Sequence, residues 1–171
     1  MRSLLEQYPP VDAAEFRHRD RMLALLNTPA PLYRGQFTPG HFTASAFVLH
    51  GNNVLLIWHA KLLRWLQPGG HVDETDATLA DTAARELREE AGIVAETEGL
   101  LDLDVHPIPA NPKKAEPAHE HFDVRFVFRV DDPSAVAGDD ALDVKWVPIR
   151  DVSLEETDES VMRALRKLQT M

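Results

Sequence analysis

The chain has 171 residues, 18 lysines and arginines against 28 aspartates and glutamates, eight histidines and no cysteine. That length fits one domain with a full-sized core, and 44% hydrophobic residues with three tryptophans exclude a disordered chain. The missing cysteine excludes a disulfide scaffold, a thiolate zinc site and a thiol nucleophile, and a net charge of −10 argues against polymeric nucleic acid as partner.

Basic residues cluster only briefly, at 17–21 and at Lys113 and Lys114. No apolar run reaches the ~18 residues of a membrane span, and the start, MRSLLEQYPP, lacks a signal peptide's apolar block. A cytoplasmic protein with no membrane partner is the expectation.

In chain order, residues 12–27 space Ala13, Phe16, Met22, Leu23 and Leu26 at helical intervals behind Asp12 as N-cap, and Pro29 and Pro31 end the helix. We read residues 1–36 as a helical extension packed on a main domain of residues 37–171. Exposed apolar residues of the extension would allow a homodimer. Residues 43–50 and 54–59 read as strands joined by Gly51, Asn52 and Asn53. Residues 65–67 form a short extended piece before the glycine turn Pro68-Gly69-Gly70.

Thr78 and Asp81 make a capping box for a helix that Gly92 closes, with Leu79, Ala83, Ala84, Leu87 and Ala91 as its apolar stripe. Strands follow at 100–106, 122–130 and 144–148, with loops at 107–117 and 131–140. A last helix near 159–169 buries Val161, Leu165 and Leu168. Strands flanked by a few helices, without regular βαβ alternation, predict an α/β fold with a mixed sheet between helical layers.

Glu86, Glu89 and Glu90 stand at i, i+3 and i+4 and project from one helical face. Like charges at that spacing destabilise a bare helix by ~0.2–0.5 kcal/mol per pair. A solvated charged face is one reading; a hard divalent cation such as Mg²⁺ or Mn²⁺, which takes oxygen ligands and removes the repulsion, is the other. The glycine turn ahead of the helix favours the cation, because glycine lets backbone approach a metal or phosphate closely.

Together these residues resemble the Nudix hydrolase box, G-x5-E-x7-R-E-U-x-E-E-x-G-U with U apolar. Here Gly70 is followed by five residues, Asp76, eight residues, then Arg85-Glu86-Leu87-Arg88-Glu89-Glu90-Ala91-Gly92-Ile93. Asp76 replaces the first Glu and the second spacer is one residue longer. Trp146, Val147 and Pro148 end a strand as in the family, and the likeness covers about residues 40–170.

The resemblance implies a Nudix-fold sandwich (α/β/α) over residues 37–171. It also implies Mg²⁺-dependent hydrolysis of the pyrophosphate linkage in a nucleoside triphosphate or a small nucleoside diphosphate derivative. On the same basis Glu86, Glu89 and Glu90 are metal ligands with the Gly70 carbonyl, and one glutamate accepts the proton of the attacking water. Arg85 orients carboxylates with Asp76 as partner. An acidic residue from a later loop, Asp140 or else Asp143, adds a ligand or base.

His119, His121 and Asp123 share one face if their segment is a strand, and could hold zinc or another transition metal. Within the family reading, His71, His119, His121 and Asp140 instead line the substrate cleft. Phe37, Phe42, Trp58 and Trp65 are candidates to stack on a base, and Lys61, Arg64 and Arg125 to offset substrate charge. Two other functions stay open: a non-catalytic nucleotide sensor, and a zinc-dependent hydrolase built on His119, His121 and Asp123.

Overall fold

The computed structural model describes residues 1–60, 62–138 and 141–170. Two helices, α1 (Arg2–Gln7) and α2 (Ala13–Leu25), precede four strands: β1 (Gly40–His50), β2 (Asn53–His59), β3 (Arg64–Leu66) and β4 (Gly69–His71). Helix α3 (Leu79–Ala91) follows, then β5 (Thr97–Ile108), β6 (His119–Arg129), β7 (Ala141–Pro148) and α4 (Glu159–Leu168). The sheet order is β3-β2-β1-β6-β5, with β4 joined to β1 and β7 to β2. Among the described residues only β1 and β6 pair in parallel, and the other strand pairings are antiparallel. The sheet is mixed and lies between helices, as its patterning predicts.

Alternation along β1 divides the core. Phe42, Ala44, Ala46 and Val48 join Leu79, Ala83, Leu87 and Ala91 of α3 in the larger cluster. Phe47 and Leu49, pointing the other way, join Val161, Ala164, Leu165 and Leu168 of α4. Helix α3 runs where its caps place it: the Thr78 hydroxyl accepts from Asp81 N at 3.1 Å. Gly92 ends it at φ 69°, a conformation that costs a residue with a Cβ.

Two expectations need correction. Gly69 and Gly70 do not simply turn; with His71 they form β4, opposite Ser45, Ala44 and Thr43. Strand β2 pairs with β1 only at Leu49 and His50, which leaves backbone donors and acceptors lower on that edge for β4 to satisfy. Helix α2 buries only part of its predicted apolar stripe: Met22 is buried and Leu23 and Leu26 pack on the core, but Ala13 and Phe16 do not. Phe16 is 48% exposed, and the buried residues are Glu15, Met22 and Leu25.

That helix lies along β5, an edge strand whose polar backbone would otherwise be open. Tyr8 Oη donates to Leu101 O at 2.9 Å, Glu15 accepts from Leu103 N at 3.4 Å, and His18 Nδ1 lies 2.9 Å from Leu103 O. A buried carboxylate therefore belongs on this face. Helix α1 has six residues, too short for periodicity to announce.

Between the sheet and α4 a guanidinium is buried among carboxylates. Arg125 on β6 is 2% exposed. It meets Asp123 at 2.8 Å, Asp102 at 3.1 Å and Asp104 at 3.2 Å, and donates to Ser160 O at 2.9 Å. From α4, Arg163 adds bonds to Asp102 at 2.6 Å and Asp104 at 3.0 Å, and Lys167 reaches Asp102 and Glu15. Burial pushes the Asp102 carboxyl up, but the charges of Arg125, Arg163 and Lys167 outweigh it and bring it down to about 2. Asp104, under the same opposition, lies well below the usual carboxylate range.

Arg125→Met should cost about 3–5 kcal/mol in urea unfolding, because it strands three buried carboxylates without their shared partner. The depressed carboxyl groups stabilise the fold fully above the unfolded value of about 3.9, and that contribution is lost as pH falls through the folded values. Thermal midpoints followed from neutral pH downward should drop steeply between about pH 4 and 2. A flat profile there would contradict the pairing.

Candidate active site

The acidic face of α3 lies against β4, because its apolar stripe packs on β1 and β4 is β1's neighbour. Gly69 N donates to Glu90 Oε2 at 2.9 Å. Gly70 comes closer still: a Cβ there would stand 2.4 Å from Glu86 Oε1. Two glutamates thus converge on a bare stretch of backbone that any side chain would fill. Glu90 is 7% exposed, whereas the side chain of its neighbour Glu89 is 51% exposed.

Arg85 is the pivot of this group. Its guanidinium donates to Glu86 Oε1 at 2.9 Å, Glu89 Oε2 at 2.9 Å and Asp76 Oδ2 at 3.0 Å, and to the His71 carbonyl at 2.7 Å. The expected Arg85–Asp76 pair is present. The longer spacer lets the shorter Asp76 reach, and a turn in which Asp73 N bonds Asp76 Oδ2 at 2.9 Å aims it. Arg85 is raised above its ordinary pKa, chiefly by its hydrogen bond to Asp76, so its charge is permanent. Burial raises the Glu86 carboxyl against the pull of Arg85, and Glu89 and Asp76 add to the rise.

Three carboxylates around one guanidinium, with Glu90 beside them on Gly69 N, leave an excess of negative charge beside a backbone cleft. The donor set is all oxygen, which suits a hard divalent cation. The bare backbone at Gly70, where a Cβ would meet the Glu86 carboxylate, fits the same reading.

On the other face of the sheet a second group gathers. Register sets His41 beside His121 across β1 and β6, and His106 opposite His121 across β5 and β6. Ring centroids of His41 lie 5.2 Å from His119, 5.0 Å from His121 and 5.1 Å from His71. Burial, then the neighbouring imidazoles, push His71 down to about 4 and His121 to about 2, and His41 also falls. All three are neutral at pH 7. Sequence reasoning missed His41, since nothing local distinguishes it from another strand residue.

Other expectations resolve differently. Asp123 does not join the histidines; it accepts from Ser45 Oγ at 2.8 Å, Thr43 Oγ1 at 3.1 Å and Arg125 Nε at 2.8 Å. Arg125 itself is buried and offsets protein carboxylates, not substrate charge. Phe42 is fully buried in the core, so it offers no face to a base. Phe37 packs on His119 at 5.0 Å, and Trp58 meets Trp65 edge-on at 5.3 Å. Arg64 donates to Thr157 O. Asp143 is exposed on β7 and accepts from Val144 N. Asp140 and Lys61 lie outside the described residues. The loop before Asp140 is tied to α3 by Val136 N to Ala91 O and Gly138 N to Glu90 O, at 2.9 and 3.0 Å.

The family model described as NUDIX domain matches residues 39–168. A protein of Lactococcus lactis subsp. cremoris (strain MG1363) named "Probable DHNTP pyrophosphohydrolase" is 30% identical over 166 residues, 95% of either chain. The MutT protein from Methanosarcina mazei Go1 has a similar structure, with a TM-score of 0.60 at 18% identity over 75% of this chain and 93% of that one. A MutT NUDIX hydrolase from Burkholderia pseudomallei gives 0.59 at 19% identity, over 74% and 96%. The two structures share the fold.

Gly70→Ala should displace the Glu86 carboxylate while leaving β4 paired. Mn²⁺ affinity, read by electron paramagnetic resonance, should fall by ~10-fold or more with the melting temperature held within a few degrees. Unchanged affinity would place the cation elsewhere.

Proposed function

Because the chain belongs to the Nudix family, we propose that it is a Mg²⁺-dependent pyrophosphohydrolase acting on a small nucleotide or a related phosphorylated metabolite. The observation that carries this reading is the convergence of Glu86 and Glu90 on the Gly69–Gly70 backbone, with Arg85 holding Glu86, Glu89 and Asp76 in one array. The relative's name, with its DHNTP and pyrophosphohydrolase, supports a phosphorylated small molecule as substrate.

Glu86, Glu89, Glu90 and the Gly70 carbonyl would hold the cation, Mg²⁺ or Mn²⁺. Bound there, it neutralises charge that accumulates on phosphoryl oxygens in the transition state and helps orient water. The protein's own groups do the rest. Arg85 keeps Glu86, Glu89 and Asp76 in register, and it also donates to the His71 carbonyl. The open backbone of β4 leaves room for a polyphosphate chain to lie against the glutamates. A water oxygen bonds to phosphorus as the bridging P–O bond breaks, and a carboxylate of this set takes the proton. His71, His119 and His121, on the other face of the sheet from the glutamates, would contact the rest of the substrate.

The test is a substrate screen with excess Mg²⁺, reading inorganic phosphate after added pyrophosphatase or phosphatase. DHNTP, nucleoside triphosphates, dinucleoside polyphosphates, nucleotide sugars and ADP-ribose form the panel. Turnover should vanish with EDTA and return with Mg²⁺ or Mn²⁺. Activity that survives chelation, or none on any member, would defeat the assignment.

Glu89→Gln separates catalysis from stability. Its side chain is half-exposed and its ion pair with Arg85 contributes at most ~1 kcal/mol. Loss of a ligand carrying several kcal/mol of transition-state stabilisation should lower kcat by ~100-fold or more, with thermal stability almost unchanged.

A further inference from the structure

The histidine group on the α4 side of the sheet is built as a metal site in its own right, chemically unlike the glutamate array. We propose that His41, His119 and His121 together bind a borderline transition metal, Zn²⁺ above all, through their Nε2 atoms.

Four observations converge on it. The three rings each offer a nitrogen within 4.8 Å of the other two. A tetrahedral Zn²⁺ with Zn–N bonds of ~2.0–2.1 Å needs its nitrogens ~3.4 Å apart, a difference that modest ring rotations close. His41 is 1% exposed, and its Nε2 is buried with no hydrogen-bond partner. An orphaned acceptor in such a place is costly to keep, and a metal would satisfy it.

The third observation concerns the opposite ring nitrogens. His41 Nδ1 lies 3.1 Å from Gln36 O, and His119 Nδ1 lies 2.8 Å from Pro117 O. A carbonyl accepts only from N–H, so these contacts put the proton on Nδ1 and leave the Nε2 lone pair free. Metal-binding histidines are held by carbonyls in just this manner. The backbone segments before β1 and before β6 thereby orient two ligands before any ion arrives.

Fourth, the site has a second ring of support. His106, its Nδ1 2.8 Å from Asp104 Oδ2, packs on His121 at 5.6 Å. His71 packs on His121 at 5.0 Å and on His41 at 5.1 Å, so a fourth imidazole borders the group. His71 belongs to both centres, because its carbonyl accepts from Arg85 while its ring borders the histidines. Three neutral nitrogen ligands leave the full charge of the ion uncancelled and one position free, which a water or an anionic oxygen would take. Imidazole prefers zinc, nickel or copper, whereas carboxylates prefer magnesium or manganese. The two centres therefore sort ions by ligand chemistry, and this assignment does not depend on what the enzyme hydrolyses.

The test uses the full chain, stripped with EDTA, dialysed and kept in excess Mg²⁺ so that the glutamate array is occupied. Zn²⁺ is titrated against a chromophoric chelator, and Co²⁺ is added separately as a spectroscopic probe. One equivalent of Zn²⁺ should bind with sub-micromolar affinity. Co²⁺ should show the intense visible bands of a four-coordinate nitrogen-ligated ion.

His121→Asn should weaken Zn²⁺ by more than ~100-fold, beyond the loss expected for a merely supporting group. Glu86→Gln and Glu89→Gln together should leave Zn²⁺ binding unchanged. Zn²⁺ displaced by Mg²⁺, Zn²⁺ lost with the glutamates, or a weak octahedral Co²⁺ spectrum would each overturn the site. If His121→Asn fails to fold, the Co²⁺ spectrum of the parent chain decides alone.

Discussion

A guanidinium sealed from water constrains this molecule more than any other group. Arg125 sits at the middle of the sheet's α4 face, and a charge there is tolerable only if carboxylates surround it and their remaining lone pairs are satisfied. Asp102 and Asp104 come from β5, Asp123 from β6, and Ser160 from α4, so one side chain ties three elements. Asp123 in turn engages Thr43 and Ser45 of β1, which are the residues opposite β4. The register that seats Gly69 and Gly70 beside the glutamates is thus braced from behind by the same ion cluster.

The two faces of β1 consequently serve different chemistry. Toward α3, small apolar residues let the helix approach until its glutamates reach β4 backbone. Toward α4, polar residues run in a line: histidines at the open end, then hydroxyls and Asp123, then the arginine cluster, then the apolar residues under α4. Lysine and glutamate from the two terminal helices close the line at the β5 edge. The N-terminal helices are part of this arrangement, since they supply Tyr8 and Glu15 to the exposed backbone of β5 and to Lys167.

Repulsion within the glutamate array shows how a local rule can yield to a tertiary one. At i, i+3 and i+4 three carboxylates should fray their helix. Arg85 relieves part of that cost, and it is itself held by Asp76 and by the His71 carbonyl. What remains is an electron-rich cleft whose carboxylates are held by hydrogen bonds to Arg85 and to the β4 backbone.

Much of this was legible in the linear chain. Thr78 and Gly92 set the ends of α3 by local hydrogen bonding, the spacing of Leu79, Ala83, Leu87 and Ala91 set its inward face, and the same geometry set Glu86, Glu89 and Glu90 outward; each depends only on neighbours within a turn or so. The strands announced themselves for a similar reason, through short-range alternation. Other features had no such local sign. Glu15 reads as a solvated helix residue until β5 offers it a backbone N–H, Arg125 reads as a surface charge until three aspartates from two strands close on it, and His41 reads as ordinary until parallel pairing brings it to His121. Periodicity says which way a side chain points, but the partner it meets is chosen by strand order and register, and those are decided only when distant segments pack together.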